Sequence, residues 1–375
     1  CWAGTCAPSG GVLADGKIDT PGNMKVSTAL KRTDVALSGA YAVATRDESR
    51  GAWLLARDRI GRKPLYYCQG DGWLAFASEL KALLSTKLFE PHLDLASVDQ
   101  YLTLQCVPSP STIFQGVRKA RPGQTLEYRN GVLKEAARRV VDIQSVPMER
   151  DAAAHLLRES LREAAEESPH EDSVLLWAAG LDSAALGALR PDIARLFVSL
   201  DRNWQDEARL AKESSRRMAL SIEVEPARRF TEEVFTKVCR GLDEPIADAS
   251  LFPQWQIYER ASKRAKTAIT GHCADELLGG YPRYRYLERA QGARGLMPAA
   301  PMSMILPALP PNAFVRRAGN YLASMSNFPR AYLSLLSVFD EHERCDLYTD
   351  AMHAALHGSG KARDCVSEHF TGPDL

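Results

Sequence analysis

The 375-residue chain is 45% apolar and carries 47 basic against 47 acidic residues, which predicts two globular domains with real cores and excludes a net field that would draw it to nucleic acid or an anionic membrane. No run approaches the roughly 18 apolar residues of a membrane-crossing helix, and no basic stretch followed by an apolar one opens the chain, so a cytoplasmic protein is the default expectation. The eight cysteines, at 1, 6, 68, 106, 239, 273, 345 and 365, form no CxxC, which argues against a zinc site or a dense disulfide framework.

In chain order, "LSGAYAVAT" (37–45) and "WLLAR" (53–57) are β-branched and aromatic runs joined by the charged turn "RDESRG", which predicts a hairpin. "KPLYYCQGDGWLAFAS" (63–78) repeats the pattern around Gly70, Asp71 and Gly72, so the first hundred residues predict antiparallel sheet with few helices. A short helix is expected over 95–104, then the proline-containing connector "CVPSPSTIF". The domain boundary is placed near 145, giving domains 1–145 and 146–375.

After the boundary the periodicity changes. "ERDAAAHLLRESLREAAEES" (149–168) has apolar residues at three- and four-residue spacing, the pattern of an amphipathic helix. "SVLLW" follows as a short buried strand, then helix (about 183–190), strand (196–200), helix (206–219), strand (221–225), helices (230–241 and 251–265) and strand (267–270). Alternation of this kind predicts a doubly wound parallel sheet.

In such a sheet, ligands bind beyond the carboxyl ends of the strands. The informative loops therefore follow Trp177, Leu200 and Thr270. The first reads "AAGLDSAAL": small residues allow close backbone approach, and Asp182 and Ser183 open a helix whose free N–H groups attract phosphate. An ordinary capped strand-to-helix turn has the same pattern. The third loop, "GHCADELLGG", carries Asp275 and Glu276, which could hold Mg²⁺ on a nucleotide or simply cap a helix. Cys1 is a separate candidate, because an N-terminal thiol beside its own α-amine can act as a nucleophile with a built-in base.

Together these segments resemble the class B, glutamine-hydrolysing asparagine synthetase family. The resemblance is carried by "LSGAYAVATRDESRGAWLLARDRIGRKPLYY", "LAFASELKALL", "VPSPSTIFQGVRKARPGQTLEYRNG", "GLDS", "LDEPIADAS" and "GHCADELLGGYPRYR", in the family's order. It implies a shortened Ntn-hydrolase-like antiparallel domain followed by an ATP pyrophosphatase domain of the adenine nucleotide alpha hydrolase type. It also implies a reaction in two halves: ammonia is taken from glutamine, and a carboxylate is activated by ATP as its adenylate and attacked by that ammonia or by an amine. Carried over by position, Trp177, Val198, Thr270 and Gly271 would line the adenosine pocket. Ala178, Ala179, Gly180, Asp182 and Ser183 would form the pyrophosphate loop, Asp182 and Asp275 would serve Mg²⁺, and Glu244 and Asp248 would flank the carboxylate substrate. A homodimer is the state the resemblance implies.

Three departures bear on activity. Where the family loop reads SGGxDS, this chain has Ala178 in place of the serine and Ala179 in place of the first glycine, which removes a hydroxyl donor and adds a Cβ where φ > 0 would be strained. His272 stands where the family has an acid, and a histidine there could take a proton from an attacking amine. Only 36 residues precede "LSGAYAV", and the chain stops before the family's DRxSM segment. An impaired glutaminase half is therefore expected, with Cys1 as the remnant nucleophile. The alternative expectation is a non-catalytic paralogue that keeps the fold and binds nucleotide or a partner.

Overall fold

The computed structural model describes residues 3–5, 12–16, 26–30, 37–139, 141, 143–167, 169, 171–199, 205–292, 319–322, 324 and 327–356. Its residues group into two compact units, one within Cys1–Gln144, Leu242–Ala247 and Pro298–Leu375, the other within Ser145–Gly241 and Asp248–Met297. Among the described residues no helix is long and apolar enough to cross a membrane.

The first unit contains two antiparallel sheets. One has the order β1 (Ala3–Thr5), β6 (Trp73–Ala77), β5 (Tyr66–Gly70), β7 (Val117–Lys119); the other runs β2 (Val12–Gly16), β3 (Tyr41–Asp47), β4 (Ala52–Arg57), β8 (Gln124–Arg129), β9 (Val132–Arg138). Side chains alternate along each strand, and along β3 and β4 both faces are apolar. Ala42, Ala44, Trp53 and Leu55 of the five-stranded sheet meet Tyr67, Leu74 and Phe76 of the four-stranded one, and the rings of Trp53 and Phe76 lie 6.0 Å apart. On the outer faces, Tyr41, Val43, Leu54 and Ala56 pack against α1 (Val26–Leu30). Tyr66, Cys68, Ala75 and Ala77 pack against Leu80 and Leu83 of α2 (Leu80–Ser85). The result is helix, sheet, sheet, helix, the layering expected of an Ntn-hydrolase-like domain. The helix expected over 95–104 is α3 (Leu95–Leu104).

Asp58, 1% exposed, organises the turn after β4. Its Oδ1 accepts from the backbone N–H groups of Ile60, Gly61 and Arg62, and its Oδ2 from those of Lys63 and Tyr41. Arg57 completes the corner by donating to the carbonyls of Gly61, Lys63 and Ala120.

The second unit is built on β10 (Ser173–Leu176), β11 (Ala194–Ser199), β12 (Glu223–Pro226) and β13 (Thr267–Ile269), all parallel in the order β12-β11-β10-β13. Val174, Leu176, Leu196 and Val198 face Ile257 and Ala261 of α8 (Leu251–Ala261). Leu175, Trp177 and Phe197 face Ala184 and Leu186 of α5 (Leu181–Leu189) and Ala208 and Ala211 of α6 (Gln205–Arg217). Helices thus cover both faces, as a doubly wound sheet requires. Helix α4 (Arg150–Glu166) precedes β10, α7 (Glu232–Gly241) comes between β12 and α8, and α9 (Ala274–Leu278) and α10 (Pro282–Gly292) follow β13. Some boundaries differ from expectation: α5 begins at Leu181 instead of 183, and α8 ends at Ala261 instead of 265, its carbonyls taken by tight turns through Lys263 and Arg264.

Three further helices, α11 (Phe328–Leu336), α12 (Glu341–Leu347) and α13 (Asp350–Leu356), group with the first unit. Buried Asp99 of α3 accepts from Arg344 Nε at 2.8 Å and from the Tyr348 hydroxyl at 2.6 Å.

Two outcomes follow from this packing. Asp58→Ala leaves several backbone donors without an acceptor and is expected to lower unfolding stability by about 3 kcal/mol, measured by urea denaturation. Burial pushes the Cys68 thiol up from 9.0 to about 11. The folded chain then holds this proton more tightly than the unfolded chain, so that contribution is fully present below pH 9 and is lost as pH rises from 9 toward about 11. At pH 8 a thiol reagent should label the exposed Cys239 and Cys273 in the native protein, and Cys68 only after unfolding.

Candidate nucleotide site at the sheet switch point

Chain direction across the parallel sheet fixes where a ligand can enter. From β10 the chain proceeds to β11 and then β12 on one side, and later returns to place β13 on the other. The strand order therefore reverses at β10, and the crevice between the carboxyl ends of β10 and β13 is the switch point. Two of the three loops singled out from sequence end here. The third begins with Leu200, and residues 200–204 lie outside the described ones, as does Cys1.

The first loop is held by its own serine. Ser183, 4% exposed, accepts from the Ala178 N–H at 3.0 Å and donates to the carbonyl oxygen of Ala178 at 3.0 Å. Its hydroxyl shapes the loop from within. The N-cap of α5 is Gly180, at φ −84° and ψ 170°, an extended conformation with no side-chain cap. Among the described residues a Cβ added to Gly180 would meet nothing within 4 Å, so the space beside this N-cap of α5 is open with respect to them. Asp182 is in that turn and partly buried. The exposed Ala178 offers no hydroxyl, and Ala179 turns its methyl into the core beside Trp177. Ala179 is not among the positive-φ residues, so the expected strain from its Cβ does not arise.

Trp177 and Val198 sit deeper. The Trp177 indole donates to the Ala211 carbonyl at 3.3 Å and packs on Gly187, where an added Cβ would lie 2.4 Å from the ring. Val198 is buried on the opposite face of the sheet. Both side chains belong to the core, so what these positions offer at the crevice is backbone.

The second loop meets the first. Gly271 lies so close to the start of α5 that an added Cβ would be 2.7 Å from the Asp182 Cβ and 3.2 Å from the Ser183 nitrogen. Thr270 Oγ1 accepts from the His272 N–H at 3.3 Å, and Cys273, at φ 70°, turns the chain into α9. His272 is exposed. The acids divide: Glu276 accepts from the Tyr281 hydroxyl at 3.0 Å, with the Arg283 guanidinium 4.5 Å from the Tyr281 ring, whereas Asp275 turns toward Gly280, where an added Cβ would be 1.9 Å from its Oδ1. Asp182, Thr270, Gly271 and Asp275 are thus gathered by two touching loops.

Glu244 and Asp248 are arranged differently. Glu244 is in the first unit, ion-paired with Lys119, and burial pushes its carboxyl up while the ammonium opposes the shift. Asp248 is an exposed residue of the second unit that accepts from the Ser250 N–H at 2.8 Å and starts the turn into α8.

Sequence reading missed a groove at the carboxyl end of β11, lined by Ser199, Ala208, Arg209, Lys212, Glu213 and Arg216. The signal was present, since cations at 209, 212 and 216 have the three- and four-residue spacing of one helix face.

Residues 152–357 match the family described as asparagine synthase, more than half of the chain, and residues 29–138 match the glutamine amidotransferase domain. The chain belongs to the asparagine synthase family. Its relatives include asparagine synthetase [glutamine-hydrolyzing] 1 of Bacillus subtilis, 28% identical over 261 residues, and a putative asparagine synthetase [glutamine-hydrolyzing] of Mycobacterium bovis, 31% identical over 271 residues. Each alignment covers 66% of this chain and 40% of the relative, so the matched stretch spans about two fifths of these curated relatives. A glutamine-dependent NAD+ synthetase structure from Acinetobacter baumannii is 14% identical, covering 78% of this chain and 64% of that one, with a TM-score of 0.27; at that score the likeness carries no weight beside the sheet topology. In this asparagine synthase family member, the two touching loops fall within the asparagine synthase match.

Two glycine substitutions separate packing from ligand space. Gly180→Ala is expected to change unfolding stability by less than about 0.5 kcal/mol yet weaken ATP binding in calorimetry by about tenfold, equivalent to about 1.4 kcal/mol. Gly271→Ala should lower both, because its Cβ drives into Asp182.

Proposed function

We propose that the second unit binds ATP in the crevice between β10 and β13 and activates a carboxylate as its acyl-adenylate, which ammonia or an amine then converts to an amide. The observation that carries this reading is the contact of Gly271 with the start of α5, which gathers the two loops at the switch point beside the open space over Gly180. A carboxylate oxygen attacks the α-phosphorus and pyrophosphate leaves. The amine nitrogen then attacks the acyl carbon, AMP leaves, and a base takes the nitrogen's proton.

The leaving pyrophosphate gathers negative charge, and the backbone N–H groups at the start of α5 are the stabilisers this chain supplies. Arg209, Lys212 and Arg216 add positive potential at the same sheet edge. His272, exposed in the second loop, is the residue we assign to proton removal from the amine. Asp248 is assigned to the carboxylate substrate.

The donor set also suits Mg²⁺. Among the described residues there is no cluster of three His, Cys, Asp or Glu side chains, and Asp182 and Asp275 are two carboxylates on touching loops, which fits an ion that takes one or two carboxylates together with phosphate oxygens. Asp182 and Asp275 would hold it, and the ion would neutralise charge on the phosphates.

The family match over residues 29–138 supports glutamine as an ammonia source, with Cys1 as the assigned nucleophile and the glutaminase half impaired. Glutamate release from glutamine, lost in Cys1→Ala, measures that half separately.

Pyrophosphate release from ATP in the presence of aspartate and ammonium tests the proposal. The expected result is release that falls at least about 100-fold in Asp182→Ala. Release no greater than that variant's background, together with no ATP binding by calorimetry, would leave the non-catalytic paralogue as the reading.

A further inference from the structure

Helix α6 of the second unit carries three cations on one face. Arg209, Lys212 and Arg216 recur at three- and four-residue spacing and span roughly 10 Å of helix axis. With Ser199, Ala208 and Glu213 they line a groove of about 540 Å³, which is the size of a small-molecule site, and three cations are few for a nucleic acid. Ser199 ends β11. Its carbonyl accepts from the Ala227 N–H at 2.7 Å, whereas its hydroxyl is bonded to no described residue and is left as a neutral donor in the lining.

Charge in this groove is unbalanced. Glu213, the one carboxylate of the lining, is held by neighbours a turn away on either side, with Arg209 Nη1 at 3.7 Å and Arg217 Nη2 at 2.5 Å. Lys212 and Arg216 are exposed, and among the described residues no carboxylate is paired with either. As like charges four residues apart they repel and weaken the helix. Arg216 lies in the last turn, where the helix terminus favours a cation; Lys212 lies in the middle of α6 and has no such compensation. An anion between the two turns their repulsion into two attractions. Cations strung along a helix suit an elongated anion with several oxygens, and a guanidinium fork takes phosphate oxygens in pairs.

The groove also has a neighbour. Leu175, Trp177 and Phe197 pack against both α5 and α6, so the two helices cover the same face of the sheet. Helix α5 starts beyond the carboxyl end of β10 and the groove lies at that of β11, strands that pair directly through Leu176 and Leu196 and so run about 4.8 Å apart. We infer that the groove is a second anion site of this unit, separate from the crevice between β10 and β13, and that it takes a diphosphate: the pyrophosphate that departs from the head of α5. As a diphosphate site it stands on the groove alone. Its place in the reaction rests on the reading of the crevice as the ATP site.

The test titrates inorganic pyrophosphate into the full chain by calorimetry and follows hydrogen exchange of α6. Wild type should bind pyrophosphate at least about tenfold more tightly than inorganic phosphate, and saturating pyrophosphate should raise the protection of amides 208–217. In Lys212→Gln/Arg216→Gln, pyrophosphate affinity should fall by at least about tenfold, and the exchange of α6 should no longer respond. Lys237→Gln/Lys263→Gln removes two exposed cations of the same unit outside the groove and should stay within about threefold of wild type. Equal losses in the two double variants, or a wild-type α6 whose exchange ignores pyrophosphate, overturn the site. Phosphate binding as tightly as pyrophosphate overturns the diphosphate assignment. Circular dichroism reports whether the groove variant has folded; if it has not, the exchange response of wild-type α6 decides. Product inhibition by pyrophosphate should weaken in the groove variant along with direct affinity, and inhibition that stays unchanged overturns the place in the reaction. If wild type releases no pyrophosphate from ATP while added pyrophosphate still protects α6, the proposed function fails and the groove site stands.

Discussion

A methyl group at position 271 would sit 2.7 Å from the Asp182 Cβ, closer than two such carbons approach. The second unit is arranged around that missing methyl. Parallel strands bring the ends of β10 and β13 side by side, but strand spacing alone leaves their loops free to splay apart. Glycine at 271 lets the backbone after β13 lie on the first turn of α5, beside Asp182 and the Ser183 nitrogen. Thr270 and Cys273 hold that geometry from either side, one by accepting a backbone hydrogen bond and the other by adopting φ 70°. A tight loop contact of this sort has no slack, because packed backbone shifts as a unit and does not deform locally.

The first unit solves a different problem. Its strands β3 and β4 are buried on both faces, so the alternation along them separates two cores, not a core from solvent. Such a sandwich needs its corners fixed, since a one-residue slip would exchange the cores' side chains. Asp58 and Arg57 fix one corner by taking backbone groups from five residues on one side and three on the other. Those two residues are charged and buried or partly buried, which is tolerable because both Asp58 oxygens and all three Arg57 guanidinium nitrogens bond to backbone groups.

Periodicity made most of this layout legible. Helix α3 begins and ends at the residues its spacing indicates, and the strands around 173, 196 and 267 stand where short apolar runs alternate with amphipathic helices. What could not be read was the direction of individual loop side chains. Ser183 looks like a phosphate donor in a small-residue turn, yet it bends back to Ala178 because a hydroxyl one turn into a helix can reach the preceding strand end. Trp177 looks like a wall for a base, and its ring goes instead into the gap that Gly187 leaves. Glu244 and Ala247 meet Lys119 and Gln105, more than 100 residues away in sequence, and no local pattern reports a partner at that range.

The loop over residues 178–183 can be weighed on the same terms. Replacing a loop serine by Ala178 removes one donor, worth about 1 to 3 kcal/mol to a phosphate that would have used it. The Ala179 change costs little, because its backbone is outside the left-handed region and its methyl fills core space next to Trp177. The remaining donors are main-chain N–H groups at the head of α5, and these survive any side-chain substitution that leaves the loop's path intact. That path is set by Ser183 from inside and by Gly271 from above, neither of which is altered from what the geometry needs. On the proposed reading, the loop would lose one donor while keeping the main-chain N–H groups at the head of α5 that would meet a phosphate.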